Sequence, residues 1–314
     1  MKVIISVKGR FHGFNLAQEL YHRNALHKLI TTYPKFVAKR FDIPRDKIIS
    51  FLDLEVLARS YRRVKNDYWR ASNWFNNEFD KRVARKITQA DLFVGWSGSS
   101  FNSIRKAKSL NMTTILERGS SHILYQKEIL EEESALFGSS MEAVHPGVIE
   151  TELKEYDEAD YIFIPSRYAK NTYIKRGIKD KKLIQIPYGV NLEEFYPVQK
   201  EDSTFRFIHC GAITLRKGVQ YLLQAFSELN LQDAELWMVG PVDPKIDHII
   251  KQYNSDNIIY HGPKHQTELK WFYSQCNTFC LASIEEGLAM VQAQAMACGL
   301  PIITSENTGG SDLI

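Results

Sequence analysis

The sequence predicts an α/β protein built from two tandem Rossmann-like, doubly wound domains that face a cleft. Three observations predict it. Short apolar runs alternate with longer amphipathic stretches along the 314 residues. The runs are dense in Ile, Val, Leu and Phe and do not alternate with polar residues, as in parallel strands covered on both faces. The alternation breaks once, at the charged segment 191–204, and then restarts. A chain this long exceeds one ordinary core. The expected division is therefore an N-terminal domain at 1–190, a linker at 191–204 and a C-terminal domain at 205–314.

In the first half, KVIISV ends at Gly9 and a helical stretch follows to about Tyr21. HKLITTY reads as a second strand. ADLFVGW (90–96), TTILE (113–117), ADYIFIPS (159–166) and KLIQIPYG (182–189) continue the strand series. In the second half, FRFIHC, ELWMVG, NIIYHG, TFCLAS and PIITS read as five strands, with helices expected at 216–229, 246–253, 266–276 and about 288–298. Strand–helix alternation of this kind makes a parallel sheet, whose ligands bind beyond the carboxyl ends of the strands.

Composition narrows the classes. The chain is 44% hydrophobic and 25% charged, a globular balance. No apolar run is long enough to span a bilayer. The start, MKVIISVKGRFHG, carries an apolar run only from Val3 to Val7, too short for a leader, and reads as a first buried strand. Four cysteines without a CxxC pair are expected to be reduced, buried thiols of a cytoplasmic protein. The net charge of +3 hides an asymmetry: residues 1–100 hold 19 Lys/Arg against 9 Asp/Glu, and residues 201–314 hold 7 against 13.

Two loops carry the strongest chemical signal. In CGAITLRKG (210–218) a strand ends at Gly211 and a helix is expected near Arg216. Free N–H groups and the helix dipole already favour an anion there, and Arg216 with Lys217 adds two cations. The pattern serves a bound phosphate or diphosphate, or else a solvated basic turn. In SIEEGLAMVQAQAMACG (283–299), Glu285 and Glu286 precede a helix whose expected N-terminus offers the N–H groups of Gly287 to Ala289. Those acids suit sugar hydroxyls, or simply complement the dipole. SENTGGSDLI places Gly309 and Gly310 after a strand, where backbone can approach a ligand or turn tightly. ERGSSHILYQ puts His122 in a polar loop at a strand end, and the adjacent Glu117 and Arg118 are placed to pair with each other.

Taken together, IFIPSRYAKNTYIKRGIKDKKLIQIPYGVNLEEFYP, GAITLRKGVQYLLQAF and the run ELWMVGP through IIYHGPKHQTELKWFYSQCNTFCLASIEEGLAMVQAQAMACGLPIITSENTGGSDLI resemble the retaining glycosyltransferases of family 4, which have the GT-B fold. The resemblance covers residues 160–314 strongly and the first half weakly. It implies a sugar transfer from a nucleotide-diphosphate-sugar donor to a hydroxyl acceptor, in polysaccharide, glycolipid or cell-envelope glycan synthesis. Lys217 corresponds to the lysine holding the donor diphosphate. Ala212 stands where the family often has arginine, so Arg216 takes over part of that charge. Glu286 is the first acid of an E-x7-E motif that contacts the donor sugar. Gln294 stands in the place of the second acid, which binds the ribose, and lacks its charge. Gly287, Leu288 and Ala289 correspond to backbone donors, Ser166 and Arg167 border the cleft, and His122 corresponds to a histidine near the reacting sugar. Gly9, Gly211, Met290, Gly309 and Gly310 complete the expected donor-binding set.

The same resemblance implies no cofactor and no metal, the nucleotide sugar being a substrate. Arg216, Lys217 and helix N-termini would stabilise the departing diphosphate. Two alternatives stay open: a nucleotide-sugar 2-epimerase of the same fold, and a non-catalytic two-lobed sugar-binding protein. The expected partners are a donor, a glycan or lipid-linked acceptor and no nucleic acid. Residues 39–86 carry 13 Lys/Arg against 7 Asp/Glu, interleaved with Phe41, Phe51, Tyr61, Tyr68, Trp69, Trp74, Phe75 and Phe79. That suits an anionic membrane surface, hence peripheral attachment at its inner face, or ordinary core aromatics under solvated faces. Relatives continue beyond the point matching Ile314, so the second domain is expected to be incomplete and prone to association.

Overall fold

The computed structural model describes residues 1–9, 11–65, 68–138 and 144–314, with Tyr68 described in its backbone only. Residues 1–118, 144–163 and 178–184 form one compact unit, and residues 119–143, 164–177 and 185–314 form the other.

The first half of the chain runs β1 (Val3–Val7), α1 (Gly13–His22), β2 (Leu26–Thr31), α2 (Lys35–Ala38), β3 (Ile48–Ser50), α3 (Leu52–Val64), α4 (Tyr68–Ala84), β4 (Leu92–Trp96), α5 (Phe101–Ser109), β5 (Thr113–Glu117), α6 (Ile123–Leu136), α7 (Pro146–Glu158), β6 (Tyr161–Ile164), α8 (Arg167–Lys175) and β7 (Leu183–Gln185). The seven strands lie in the order β3-β2-β1-β4-β5-β6-β7, and the described pairs are parallel. Every residue of β1 is buried, the mark of a strand covered on both faces. Val3, Ile5 and Val7 pack with Phe14 and Ala17 of α1 and with Leu29 of β2. β3 escapes the sequence reading because it has three residues, too few for a periodic signal.

The second half runs β8 (Phe205–Cys210), α9 (Val219–Leu229), β9 (Ala234–Val239), α10 (Asp247–Gln252), β10 (Ile258–Gly262), α11 (Leu269–Ser274), β11 (Thr278–Leu281), α12 (Met290–Ala297) and β12 (Ile302–Thr304). Its strand order is β10-β9-β8-β11-β12, again parallel. Apolar side chains fill both faces. Ile208, Phe279, Leu281 and Ala295 pack on one side, and Leu223, Leu236 and Met238 on the other. Segment 191–204 contains neither strand nor helix.

Two expected helix starts move. The helix expected from Arg216 begins at Val219, after a 3-10 turn at Leu215–Lys217. Gly218 separates them at φ +65°, and a Cβ there would sit 1.7 Å from the Ala282 carbonyl oxygen. The helix expected from about residue 288 begins at Met290, with Ala289 as its N-cap. The four cysteines are free and buried. Among the described residues no helix is long and apolar enough to cross a membrane.

Candidate functional site

In the second sheet the strand order reverses between β8 and β11. That is the switch point, where the loops after neighbouring strands diverge and leave room for a ligand. Residues 211–218 follow β8 and residues 282–289 follow β11. The two loops are held together by the Ile284 N–H, which donates to the Arg216 carbonyl at 2.9 Å, and by the close approach of Gly218 to Ala282. Both candidate cations and both candidate acids therefore stand at one place.

They are paired there in order. Arg216 Nη2 lies 2.9 Å from Glu285 Oε2, and its Nε donates to the same carboxylate at 3.1 Å and to the Glu285 carbonyl at 3.2 Å. Lys217 Nζ pairs with Glu286 Oε1. The two acids differ in burial and in partners. Glu285 is fully buried and accepts from Ser120 Oγ at 2.8 Å, Ser121 N at 3.0 Å, Ser121 Oγ at 2.6 Å and Gln126 Nε2 at 2.8 Å. Burial pushes its pKa up, but Arg216 and the Ser121 and Gln126 hydrogen bonds outweigh this and hold the carboxyl down at about 2. Glu286 touches the exposed side of the site through Lys217, whose side chain is one-fifth exposed.

Glu285 also fixes the loop that carries His122. That histidine caps α6: its Nδ1 accepts from the Leu124 N–H at 3.2 Å, and its own N–H donates to Thr172 Oγ1 at 2.9 Å. Accepting at Nδ1 leaves the proton of the neutral ring on Nε2. Its ring meets Tyr173 edge-on, with centroids 5.2 Å apart. Arg216 Nη2 reaches Ser120 Oγ at 3.4 Å, so the His122 loop and the cation pair share a neighbourhood.

The remaining residues divide. Ser166 caps α8 and donates from Oγ to the Gly287 carbonyl. A Cβ on Gly287 would lie 2.2 Å from the Gly119 carbonyl oxygen, so only glycine fits that approach. Among the described residues the N–H groups of Gly287 and Leu288 meet no acceptor, whereas that of Ala289 donates to Thr308 O at 3.4 Å. Gly211 N donates to Val239 O at 2.9 Å, and Gly310 N to Thr308 Oγ1 at 3.2 Å; those amides serve the fold. Gly309 turns at φ +70° between two 3-10 segments. Met290 opens α12 and is 42% exposed. Gln294, buried on α12, accepts from the Tyr273 hydroxyl at 3.3 Å. Arg167 pairs with Asp312. Gly9 lies in the other unit, where its N–H donates to Thr32 Oγ1 at 3.2 Å.

Three features escaped the sequence reading. Glu285 reads in the sequence like its neighbour Glu286, and only the structure gives it a separate, buried role. His209 lies fully buried on β8; burial first, and then Lys217, hold its imidazole down at about 4, so it adds no charge beside that lysine at neutral pH. In the first unit His12 Nε2 meets Glu117 Oε1 at 3.0 Å and Arg118 Nε meets Glu152 at 3.1 Å, so Glu117 and Arg118 each have a partner far away in the chain. The signal for His12 was its place between the first strand and the first helix.

Two doubly wound parallel sheets with a charged switch-point site in the second define the two-Rossmann-domain class called GT-B. Residues 192–314 match the sequence model of the family described as Glycosyl transferases group 1. The chain is 27% identical over 157 residues to an uncharacterized glycosyltransferase of Methanocaldococcus jannaschii, a match covering 50% of this chain and 43% of the relative. It is 24% identical over 153 residues to the putative colanic acid biosynthesis glycosyltransferase WcaL of Escherichia coli, covering 45% and 38%. In both cases the match spans under half of the relative's length. Among solved structures, HepE of Anabaena, crystallised with UDP and glucose, superposes with a TM-score of 0.69 at 12% identity, covering 100% of this chain and 83% of that one.

Proposed function

We propose that the protein is a retaining glycosyltransferase that moves a sugar from a nucleotide-diphosphate-sugar to a hydroxyl acceptor in polysaccharide, glycolipid or cell-envelope glycan synthesis. One observation carries this reading. Arg216 and Lys217 converge on the switch point of the second sheet, each held by an adjacent acid from the facing loop. Neutralised by Glu285, Arg216 fixes the scaffold. Lys217, paired with the less buried Glu286, is the cation that an entering diphosphate can claim.

The chemistry follows from the charges. As the bond from the anomeric carbon to the diphosphate breaks, negative charge grows on the departing oxygen. Lys217 and the N–H groups of Gly287 and Leu288 stabilise it in place, without solvent reorganisation and without a metal ion. Glu286, released by Lys217, accepts hydrogen bonds from donor hydroxyls. Gln294 serves the ribose as a neutral acceptor and donor. The departing phosphate takes the acceptor's proton on the face it leaves, which keeps the anomeric configuration. The UDP and glucose bound to HepE support a nucleotide-sugar donor.

On the acceptor side, α3 supports a peripheral position at an anionic membrane. Its solvent face exposes Leu52, Val56, Leu57 and Val64 beside Arg59 and Arg63, and Trp74 of α4 is 52% exposed. Apolar side chains interleaved with cations suit an anionic interface. The experiment that tests the reading is product analysis with a panel of nucleotide sugars, with and without acceptor. Glycoside formed with retained anomeric configuration supports it; epimerised nucleotide sugar with no acceptor, or no turnover at all by the folded protein, contradicts it.

A further inference from the structure

The first unit holds a cavity of about 290 Å³ with Gly9 in its wall. It opens at the carboxyl ends of β1 and β2. Lys8 and Gly9 follow β1, Thr32 and Tyr33 follow β2, and Glu55 and Arg62 come from α3. We propose that this pocket binds a small sugar or polyol carrying an anionic group, a phosphate or a carboxylate. This rests on the glycosyl-transfer reading for the ligand's role as the acceptor end, and not for its binding.

Three properties of the walls lead there. The first is charge: among the described residues the lining carries two cations, Lys8 and Arg62, against one carboxylate, Glu55. Glu55 is already engaged, accepting from Thr32 Oγ1 at 2.7 Å and from Arg59 Nε at 2.8 Å. Burial first, and then Arg62, hold the Lys8 ammonium down at about 8, while Glu55 pulls it the other way. An anion between Lys8 and Arg62 relieves that strain. The second is hydrogen bonding. Thr32 and Glu55 present oxygen atoms to hydroxyls, and Asn76 of α4 orients Lys8 through its Oδ1. The third is the aromatic wall of Phe11, Tyr33 and Phe75, which suits the C–H face of a sugar ring. Phe11 takes its place at φ +36°, a conformation that costs free energy in a non-glycine residue and persists where surrounding structure requires it. The volume falls near the lower limit of ligand pockets, roughly 300 Å³, which limits the bound group to one ring.

Calorimetry on the full chain tests this, with glucose 6-phosphate and glucuronate as free probes, glucose and inorganic phosphate as controls, and phosphatidylcholine vesicles with and without phosphatidylinositol. The expected result is binding of an anionic sugar at least tenfold tighter than glucose, lost on Arg62→Met and on Lys8→Met and kept in Lys8→Arg. Binding is also expected to weaken about tenfold per pH unit above 8 as Lys8 deprotonates, with Arg62, Glu55, Asn76 and Tyr33 the groups that face it. Binding confined to phosphatidylinositol vesicles and lost in the same variants assigns the anion to a lipid headgroup; binding of the free probes assigns it to a soluble sugar. Equal binding of glucose, binding that survives both Met substitutions, or no binding of any probe overturns the proposal. Arg62 is exposed, so its variant is informative even where Lys8→Met fails to fold. Nucleotide binding, measured on the same sample, separates the two readings: probe failure beside intact nucleotide binding overturns this pocket alone.

Discussion

Glu285 and Arg216 face each other at 2.9 Å, with the carboxylate fully buried and the guanidinium partly exposed. The pair ties the loop after β11 to the loop after β8, and the same carboxylate collects Ser120, Ser121 and Gln126. It is thus the structural acid of the site, whereas Glu286 pairs with Lys217 and is the acid proposed to meet the ligand.

Glu285→Gln is therefore expected to destabilise the fold by about 3 kcal/mol, the scale for removing one partner of a buried ion pair. The pH dependence has a definite sign. The folded-state pKa, about 2, lies below the ordinary 4.5, so the stabilisation is fully present above 4.5 and is lost as pH falls from there through about 2. Urea titrations across that window check it. Parallel acid-unfolding curves for wild type and Glu285→Gln contradict the assignment.

Lys217→Ala is expected to leave the fold intact with some loss of stability, because Glu286 loses its partner. It is expected to lower kcat/KM for the donor by the equivalent of about 2–4 kcal/mol, the effect of losing one electrostatic stabiliser. Steady-state kinetics beside a thermal melt read both numbers on one preparation.

Gln294→Glu restores charge where the family resemblance has an acid. A charge-assisted hydrogen bond is roughly twice as strong as a neutral one, so nucleotide affinity is expected to rise severalfold. Tyr273, whose hydroxyl already donates to this side chain, keeps a suitable acceptor. Titration with the free nucleoside diphosphate reads the change, and unchanged or weaker binding removes Gln294 from the ribose site.

The apolar and basic face of α3 predicts salt-sensitive flotation with anionic vesicles and none with neutral ones. Val56→Glu and Leu57→Glu, both at exposed positions, should abolish flotation without unfolding the protein. Equal recovery with the two vesicle types contradicts a membrane role for this face.

Much of the architecture was legible in the sequence because buried parallel strands are continuous apolar runs. β1 and β8 to β12 were read directly; the switch point between β8 and β11 was not, because the order of strands in a sheet is set by packing and not by their alternation along the chain. β3 was not, because three residues carry no period, and the displaced start of α9 depended on Gly218 fitting under Ala282. The site divides in the same way. Lys217 and Glu286 were legible as local charge beside an expected helix start. The difference between Glu285 and Glu286 was not, because it depends on Ser120, Ser121 and Gln126, more than a hundred residues away in the chain. His12 with Glu117 is likewise a pairing that only folding creates.

The central claim is that the Lys217 corner holds a nucleotide diphosphate. Isothermal titration of UDP-, GDP- and ADP-sugars into the wild-type protein and into Lys217→Ala tests it most directly. The account predicts that one nucleotide class binds the wild type, raises its melting temperature by mass action, and loses affinity at least tenfold in a Lys217→Ala protein that is still folded at the temperature of the titration. Binding of no nucleotide by the folded wild type, or equal affinity in the two proteins, would contradict it.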